Sequence, residues 1–136
     1  MRLYDLHHNP HNTKSLMEKR GGKGIGRLFR AFGWSMSGLK ATFVHEAAFR
    51  QELLLCAILA PFSFYFGKTG VEKSLLLGSL LLILIVELLN SAIEATVDRI
   101  GADEHDLAGR AKDMGSAAVF LSLVNAGVIW LLIILT

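Results

Sequence analysis

The sequence predicts an all-α membrane protein, with three transmembrane helices preceded by one amphipathic helix on the membrane surface. Of its 136 residues, 52% are hydrophobic and only 19% are charged, which is unusual for a water-soluble domain of this length. The apolar residues cluster in three runs, residues 51–66, 74–86 and 115–135, and the last two carry no formal charge. Because about 20 helical residues cross a hydrocarbon core, the third run spans unaided and the others need their flanks.

The N-terminal part of the chain is polar and basic. Residues 1–26 predict a partly disordered arm, followed by a single membrane domain at residues 27–136. From Arg27 onward, apolar residues recur at steps of three and four among basic ones, which predicts the surface helix at about residues 27–45. Nine of the 14 basic residues precede the first apolar run, so the positive-inside rule predicts a cytoplasmic N-terminus. The basic arm is expected to meet anionic lipid headgroups rather than nucleic acid.

Three spans are predicted at about residues 48–66, 74–100 and 112–135, and the second contains the decisive motif. In VELLNSAIEATVDRIG, five polar side chains fall within about 100° of one helix face: Glu87, Asn90, Ser91, Glu94 and Asp98. Glu87 is expected beneath the membrane interface, where an unpaired ionisable group costs on the order of 2.5 to 3.5 kcal/mol. The stripe therefore favours a functional site.

Metal-assisted phosphoryl transfer is the chemistry that suits this stripe. Carboxylate oxygens suit Mg²⁺, which shares its remaining positions with water and phosphates, and Glu46 with Glu94 is the candidate pair of ligands. In AGRAKDMGS, which begins the third span, Lys112 is a candidate for holding phosphates and Asp113 for orienting that lysine. Glu87 is the deepest of the acids and the candidate general base.

Two purely structural interpretations stay open at this point. Glu87 and Glu94 would serve only to join helices if they paired with basic residues, for which the candidates are Arg50, Arg99 and Lys112. Basic residues at the start of the third span would, in the same view, only enforce the topology.

Three strings resemble one known family. HEAAFRQE, VELLNSAIEATVDRIG and GRAKDMGSAAV are similar to the bacterial integral membrane diacylglycerol kinases, and the resemblance covers about residues 27–130. It implies Mg²⁺-dependent transfer of phosphate from ATP to diacylglycerol, giving phosphatidic acid, at the cytoplasmic face of the bacterial inner membrane. It also implies a homotrimer whose active sites are shared between neighbouring chains.

The resemblance also implies roles for individual residues. Glu87 would be the general base, and Glu46 and Glu94 the Mg²⁺ ligands. The implied nucleotide-binding residues are Arg27, Glu46, Asn90, Glu94, Asp103, Glu104, His105, Lys112 and Asp113. The implied lipid-binding residues are Ala31, Ser35, Ala48, Phe49, Arg50, Gln51, Glu52, Glu87 and Ser116. The chain departs from the family pattern at His45, where asparagine is common, and at Phe32, where a small residue is common.

Other functions remain as alternatives. An undecaprenol kinase of the same family would share the carboxylate helix and the AKD motif but phosphorylate a polyprenol. A proton- or ion-conducting membrane subunit would also carry buried acids. A membrane scaffold would use the same acids for assembly alone. Neither of the last two accounts for Lys112 and Asp113 beside the carboxylate stripe.

Overall fold

The computed structural model describes residues 24–100 and 106–136, with the side chain of residue 100 excepted. Four helices occupy these ranges: α1 (Ile25–His45), α2 (Ala47–Phe66), α3 (Gly70–Ile100) and α4 (Asp106–Leu135). No strand occurs in the described part of the chain. The all-α fold class is confirmed. Two compact units divide the chain, Met1–Gly38 and Leu39–Thr136, and each is described by itself.

In the first unit, α1 begins directly after Gly24, whose φ of 87° lies in the left-handed region that favours glycine. The helix continues through Gly33 and Gly38, although glycine is unfavourable inside a helix. Its large apolar side chains are exposed: Ile25, Leu28, Phe29, Phe32, Trp34 and Met36. Such a surface is compatible with the predicted position on a membrane, which stays a prediction. Most of the N-terminal arm, residues 1–23, lies outside the described residues.

Helices α2, α3 and α4 are each long and apolar enough to cross a membrane. The first ends at Phe66 and contains Pro61 without ending there. The other two begin earlier than the sequence predicts, α3 at Gly70 rather than residue 74 and α4 at Asp106 rather than residue 112. Both extra segments are polar, so a search for apolar runs does not detect them.

A capping box explains the early start of α3. The Glu72 carboxylate accepts hydrogen bonds from the Lys68 and Thr69 amides at 2.6 and 3.2 Å. In return, Thr69 Oγ1 accepts from the Glu72 amide at 3.2 Å. These bonds satisfy backbone donors that the first turn of a helix leaves free. The connection between α2 and α3 is therefore only three residues long, Gly67 to Thr69.

Helix α3 lies in the middle of the second unit and contacts both α2 and α4. The core between them consists of Cys56, Leu80, Ile83 and Ala126, with Leu59, Ala60, Leu84 and Trp130 packed around it. The Cys56 thiol is buried and donates to the Leu80 carbonyl at 3.5 Å, so it packs as a small side chain of the core. The remaining surfaces of the three helices expose many large aliphatic and aromatic side chains.

The α2–α3 connection is fixed by close contacts with the helices around it. Gly67 is buried, and a Cβ at this position would lie 2.8 Å from the Ser63 carbonyl and 2.7 Å from Lys73 Cγ. Lys68 Nζ donates to the main-chain oxygen of Thr136 at 3.1 Å. The connection is thus tied to the end of α4. The polar stripe of α3 approaches the opposite end.

Candidate active site

The polar stripe of α3 faces the interior where it is deepest. Glu87, Asn90 and Ser91 are 4%, 7% and 6% exposed. Glu94, one turn further along, is half-buried, and Asp98 is exposed. The stripe therefore runs from the core of the helix bundle to its surface, as a path between an apolar and an aqueous compartment would.

Several carboxylates converge around Glu87. The charges of Glu94, on the same helix, and of Glu46, which precedes α2, both repel the Glu87 carboxylate. Glu87 in turn repels Glu52 on α2, and Glu52 Oε2 is buried without a hydrogen-bond partner within the described residues. These acids form a loose cluster within electrostatic range of one another, although no three acidic, histidine or cysteine side chains of the described residues are placed to hold a metal ion together.

Basic side chains do not neutralise this cluster within residues 24–100 and 106–136, where no ion pair involves Glu46, Glu87 or Glu94. The structural interpretation predicted such pairs. Lys112 instead forms an ion pair with Asp98 at 2.6 Å, at the exposed end of the stripe. Repulsion among buried carboxylates is unfavourable without a compensating cation or proton. Within the described residues, the arrangement is therefore not that of a structural ion-pair network around Glu87.

Arg50 does not form the ion pair with Glu87 or Glu94 that the purely structural interpretation requires. Its Nη1 donates to the Phe43 and Val44 carbonyls at 2.9 and 3.0 Å. These carbonyls belong to the last turn of α1, where backbone acceptors lack partners within the helix. Arg50 therefore caps α1 and fixes the bend at Glu46, whose backbone is extended with φ −105° and ψ 114°. Sequence analysis did not anticipate this role.

Asn90 links the stripe to α4. Its Nδ2 donates to Glu94 Oε1 at 3.0 Å, which holds that carboxylate in one orientation. Its Oδ1 is buried without a partner among the described residues and lies against the Cα of Gly115, where an added Cβ would overlap it. Gly115 is therefore a site residue that the sequence analysis missed. The sequence did contain one indication of this role, because Gly115 lies inside the helix that continues through the GRAKDMGS string.

The other predicted nucleotide-binding residues are distributed at the aqueous end of the stripe or outside the second unit. Lys112 is half-buried and Asp113 exposed near the start of α4. Lys112 forms an ion pair with Asp98, which the sequence analysis did not anticipate, and the orienting role of Asp113 stays a prediction. Arg27 belongs to the first unit. Asp103, Glu104 and His105 lie outside the described residues.

Apart from Glu87 on α3, the predicted lipid-binding residues lie on α1, α2 and α4. Phe49 is buried, Glu52 is half-buried, and Ala48, Arg50, Gln51 and Ser116 are exposed. Ala31 and Ser35 are exposed on α1 in the first unit.

The second unit contains an open apolar groove of about 440 Å³. It is lined by the end of α1 and by parts of α2 and α3: Leu39, Lys40, Phe43, Phe49, Leu53, Leu81, Leu84, Ile85 and Leu88. Leu88 is adjacent to Glu87 in the chain, and Phe49 lies one turn before Glu52. The groove has the size of a small-molecule site and the apolar lining that a hydrocarbon chain requires.

Three membrane-length helices with buried acids among them define a small multi-pass membrane protein. Residues 33–134 match the sequence profile of the family described as prokaryotic diacylglycerol kinase. The chain belongs to the prokaryotic diacylglycerol kinase family, which confirms the resemblance inferred from the three motifs.

Individual relatives agree with the family match. The chain is 48% identical to the diacylglycerol kinase of Haemophilus influenzae over 107 residues, which cover 79% of this chain and 91% of the relative. It is 44% identical to the diacylglycerol kinase of Escherichia coli K12 over 111 residues, covering 82% and 91%. It is 48% identical to the diacylglycerol kinase of Pseudomonas aeruginosa over 116 residues, covering 85% and 94%.

Proposed function

We propose that this protein transfers the γ-phosphoryl group of ATP to the hydroxyl of diacylglycerol, giving phosphatidic acid. Family membership supports the reaction class. The observation that carries the proposal is the buried Glu87 carboxylate, which lies among other acids and has no basic partner within the described residues. Family membership also favours a kinase over the ion-conducting subunit and the scaffold.

Glu87 is the general base of this proposal. It is the deepest acid of the stripe and is adjacent in the chain to Leu88 of the apolar groove, where a lipid would present its hydroxyl. The hydroxyl oxygen bonds to the γ-phosphorus while the bond from that phosphorus to the bridging oxygen breaks. ADP leaves, and the hydroxyl proton passes to Glu87. A positioned base of this kind contributes about 10²- to 10⁴-fold to a rate.

Glu46 and Glu94 fit the Mg²⁺ that such a transfer uses. Both are half-buried carboxylates that act on Glu87, and the hydrogen bond from Asn90 fixes the Glu94 oxygens. Two carboxylates leave room for waters and phosphates, as Mg²⁺ sites usually do. When bound there, Mg²⁺ neutralises charge on the phosphate oxygens.

ATP would bind at the aqueous end of the stripe. Asp98 holds Lys112 there, so the lysine charge is oriented towards the place where phosphates arrive from water. Asp113 is the residue after Lys112. The first turn of α4 also offers backbone amide donors to an anion. We assign nucleotide contacts also to Arg27, and to the segment Asp103, Glu104 and His105.

The lipid would bind with an acyl chain in the groove. Phe49 and Leu53 supply its α2 wall, and Lys40 supplies a charge at the α1 side. Glu52 is adjacent to Leu53 in the chain, and its carboxylate and that of Glu87 repel each other. The remaining residues assigned to the lipid are Ala31, Ser35, Ala48, Arg50, Gln51 and Ser116.

Membrane topology and assembly complete the proposal. The basic residues before α2 favour a cytoplasmic N-terminus, so the Glu46 end of the bundle faces the cytoplasm and the α2–α3 connection faces outward. We further propose a homotrimer with shared active sites. The three spans of one chain expose wide apolar surfaces. They form an open groove rather than a pocket that encloses both substrates, which favours a site completed by a neighbouring chain.

Replacing Glu87 with glutamine tests the proposal. Wild type, Glu87→Gln and Glu72→Gln are assayed in mixed micelles with labelled ATP, Mg²⁺ and either diacylglycerol or undecaprenol. We expect diacylglycerol-dependent turnover in wild type, a loss of at least about 10²-fold in Glu87→Gln, and wild-type rates in Glu72→Gln, which changes a carboxylate at the far end of the same helix. Normal turnover in Glu87→Gln would overturn the assignment of the base. A clear preference for undecaprenol would replace the proposed lipid.

A further inference from the structure

All serine hydroxyls in the described helices except that of the exposed Ser116 fall into two groups. Five donate to a carbonyl of their own helix at 2.7–3.0 Å: Ser35, Ser37, Ser74, Ser79 and Ser122. Two others, Ser63 and Ser91, are 0% and 6% exposed, and neither Oγ has a hydrogen-bond partner among the described residues. A buried hydroxyl without a partner is unfavourable, so each of the two calls for an explanation.

Ser91 differs from Ser63 in its surroundings. Ser63 lies near the α2–α3 connection, where its carbonyl accepts from the Gly67 amide at 3.1 Å. Ser91 lies on the polar stripe, four residues after Glu87 and three before Glu94. Helix geometry places it about 6 Å along the axis from Glu87 and about 4.5 Å from Glu94. It therefore lies at the level between the proposed base and the proposed metal ligand.

That level is where the transferred phosphoryl group must pass. In the proposed function, the lipid hydroxyl would be held at Glu87 and the nucleotide phosphates at Glu94. In the transition state, charge spreads over three equatorial phosphoryl oxygens, and a preorganised donor aimed at them lowers the barrier. Ionised carboxylates accept hydrogen bonds but do not donate them. The Nδ2 of Asn90 already donates to Glu94, whereas the Ser91 hydroxyl makes no such bond within the described residues.

We infer that Ser91 is a catalytic residue whose hydroxyl donates a hydrogen bond to an oxygen of the phosphoryl group during transfer. The inference rests on the proposed kinase function and deepens it. No proton leaves Ser91 in this role, because Glu87 takes the proton of the lipid hydroxyl. The Ser91 hydroxyl, which has no partner among the described residues, then finds its hydrogen-bond acceptor in the transition state.

Steady-state kinetics of three variants test this role. Ser91→Ala removes the donor, Ser91→Thr keeps it, and Ser63→Ala removes the other buried, unpartnered hydroxyl as a matched control. All are measured in full-length protein in mixed micelles, with diacylglycerol and MgATP varied separately. Thermal unfolding of each variant is measured in parallel.

For Ser91→Ala we expect kcat to fall about 10- to 100-fold, with both KM values within about two-fold of wild type. Its melting temperature should equal or exceed that of wild type, because an unsatisfied buried hydroxyl has been removed. Ser91→Thr should keep most of the activity, and Ser63→Ala should match wild type.

Three results would overturn the inference while wild type turns over normally. The first is an unchanged kcat in Ser91→Ala. The second is a change in Ser91→Ala that is confined to the KM for the lipid. The third is a loss of kcat in Ser91→Ala that Ser91→Thr shows in full. A wild-type protein without lipid-dependent turnover would instead contradict the proposed function itself.

Discussion

The side chain of Asn90 on α3 packs directly onto the backbone of Gly115 on α4, with Asn90 Cγ 3.3 Å from where a Cβ would lie. This contact sets the separation of the two helices beside the carboxylate cluster. It also holds Asn90 so that its amide reaches Glu94. The absence of one carbon atom from Gly115 therefore determines the geometry of the proposed metal ligand.

Gly115→Ala should disturb the site through this contact. Overpacking a close helix contact costs about 1–3 kcal/mol, and Asn90 must move away from Glu94 to relieve it. We expect a lower melting temperature and a reduced kcat. Gly127→Ala on the same helix is the control, because nothing lies within 4 Å of its added Cβ and alanine favours a helix over glycine by up to about 1 kcal/mol. Equal behaviour of the two variants would contradict the contact.

Magnesium should stabilise the protein through Glu94. A ligand that binds only the folded state raises the melting temperature as its concentration rises, so Mg²⁺ with a non-hydrolysable ATP analogue should stabilise wild type. In Glu94→Gln the half-saturating Mg²⁺ concentration should increase by about ten-fold or more, as losses around metal sites do. Glu72→Gln is the control for loss of a carboxylate. An identical Mg²⁺ titration for wild type and Glu94→Gln would exclude Glu94 as a ligand.

The capping box at the start of α3 should contribute to stability but not to catalysis. Glu72→Ala removes the acceptor of two backbone amides, for which a loss of about 1 kcal/mol is typical. Glu72→Gln retains an acceptor and should lose less. Thermal unfolding measures the difference, and lipid-kinase assays of both variants should give wild-type kcat because this end of α3 is remote from Glu87. A selective loss of kcat would show that the two ends are coupled.

Asn125 offers a test of the proposed trimer. It is exposed on α4 at the midpoint of the uncharged run of residues 115–135, where an amide facing hydrocarbon lacks partners. Interhelical hydrogen bonds of such groups contribute about 0.6–2 kcal/mol. Asn125→Leu should therefore shift the protein towards smaller species in size-exclusion chromatography coupled to light scattering. Val124→Leu is the control on the same helix. A trimer of unchanged stability in Asn125→Leu would place this amide outside the interface.

The spans and the polar stripe could be predicted because both depend on local periodicity. Glu87 and Asn90 share a helix face in any α-helix with this spacing, and their burial followed from the apolar residues around them. The starts of α3 and α4 could not be predicted from apolar runs, because polar residues continue both helices. At α3 the extension depends on the reciprocal bonds between Thr69 and Glu72.

Partner choice was the least predictable part of the site. Lys112 pairs with Asp98 across two helices, and Arg50 caps α1 rather than pairing with an acid of α3. Each choice depends on how the helices pack, which sequence spacing does not contain. The close approach at Gly115 is of the same kind, since it requires knowing which side chain lies opposite.

The burial of Cys56 has a practical consequence for spectroscopy. It is the only cysteine of the 136 residues, and its thiol is directed into the core towards the Leu80 carbonyl. Probes that react with thiols from the solvent or from the detergent surface should therefore leave the native protein unlabelled. A single cysteine introduced on an exposed face can then carry a spin label or fluorophore, and movements of the helices during turnover can be followed without first removing the native residue.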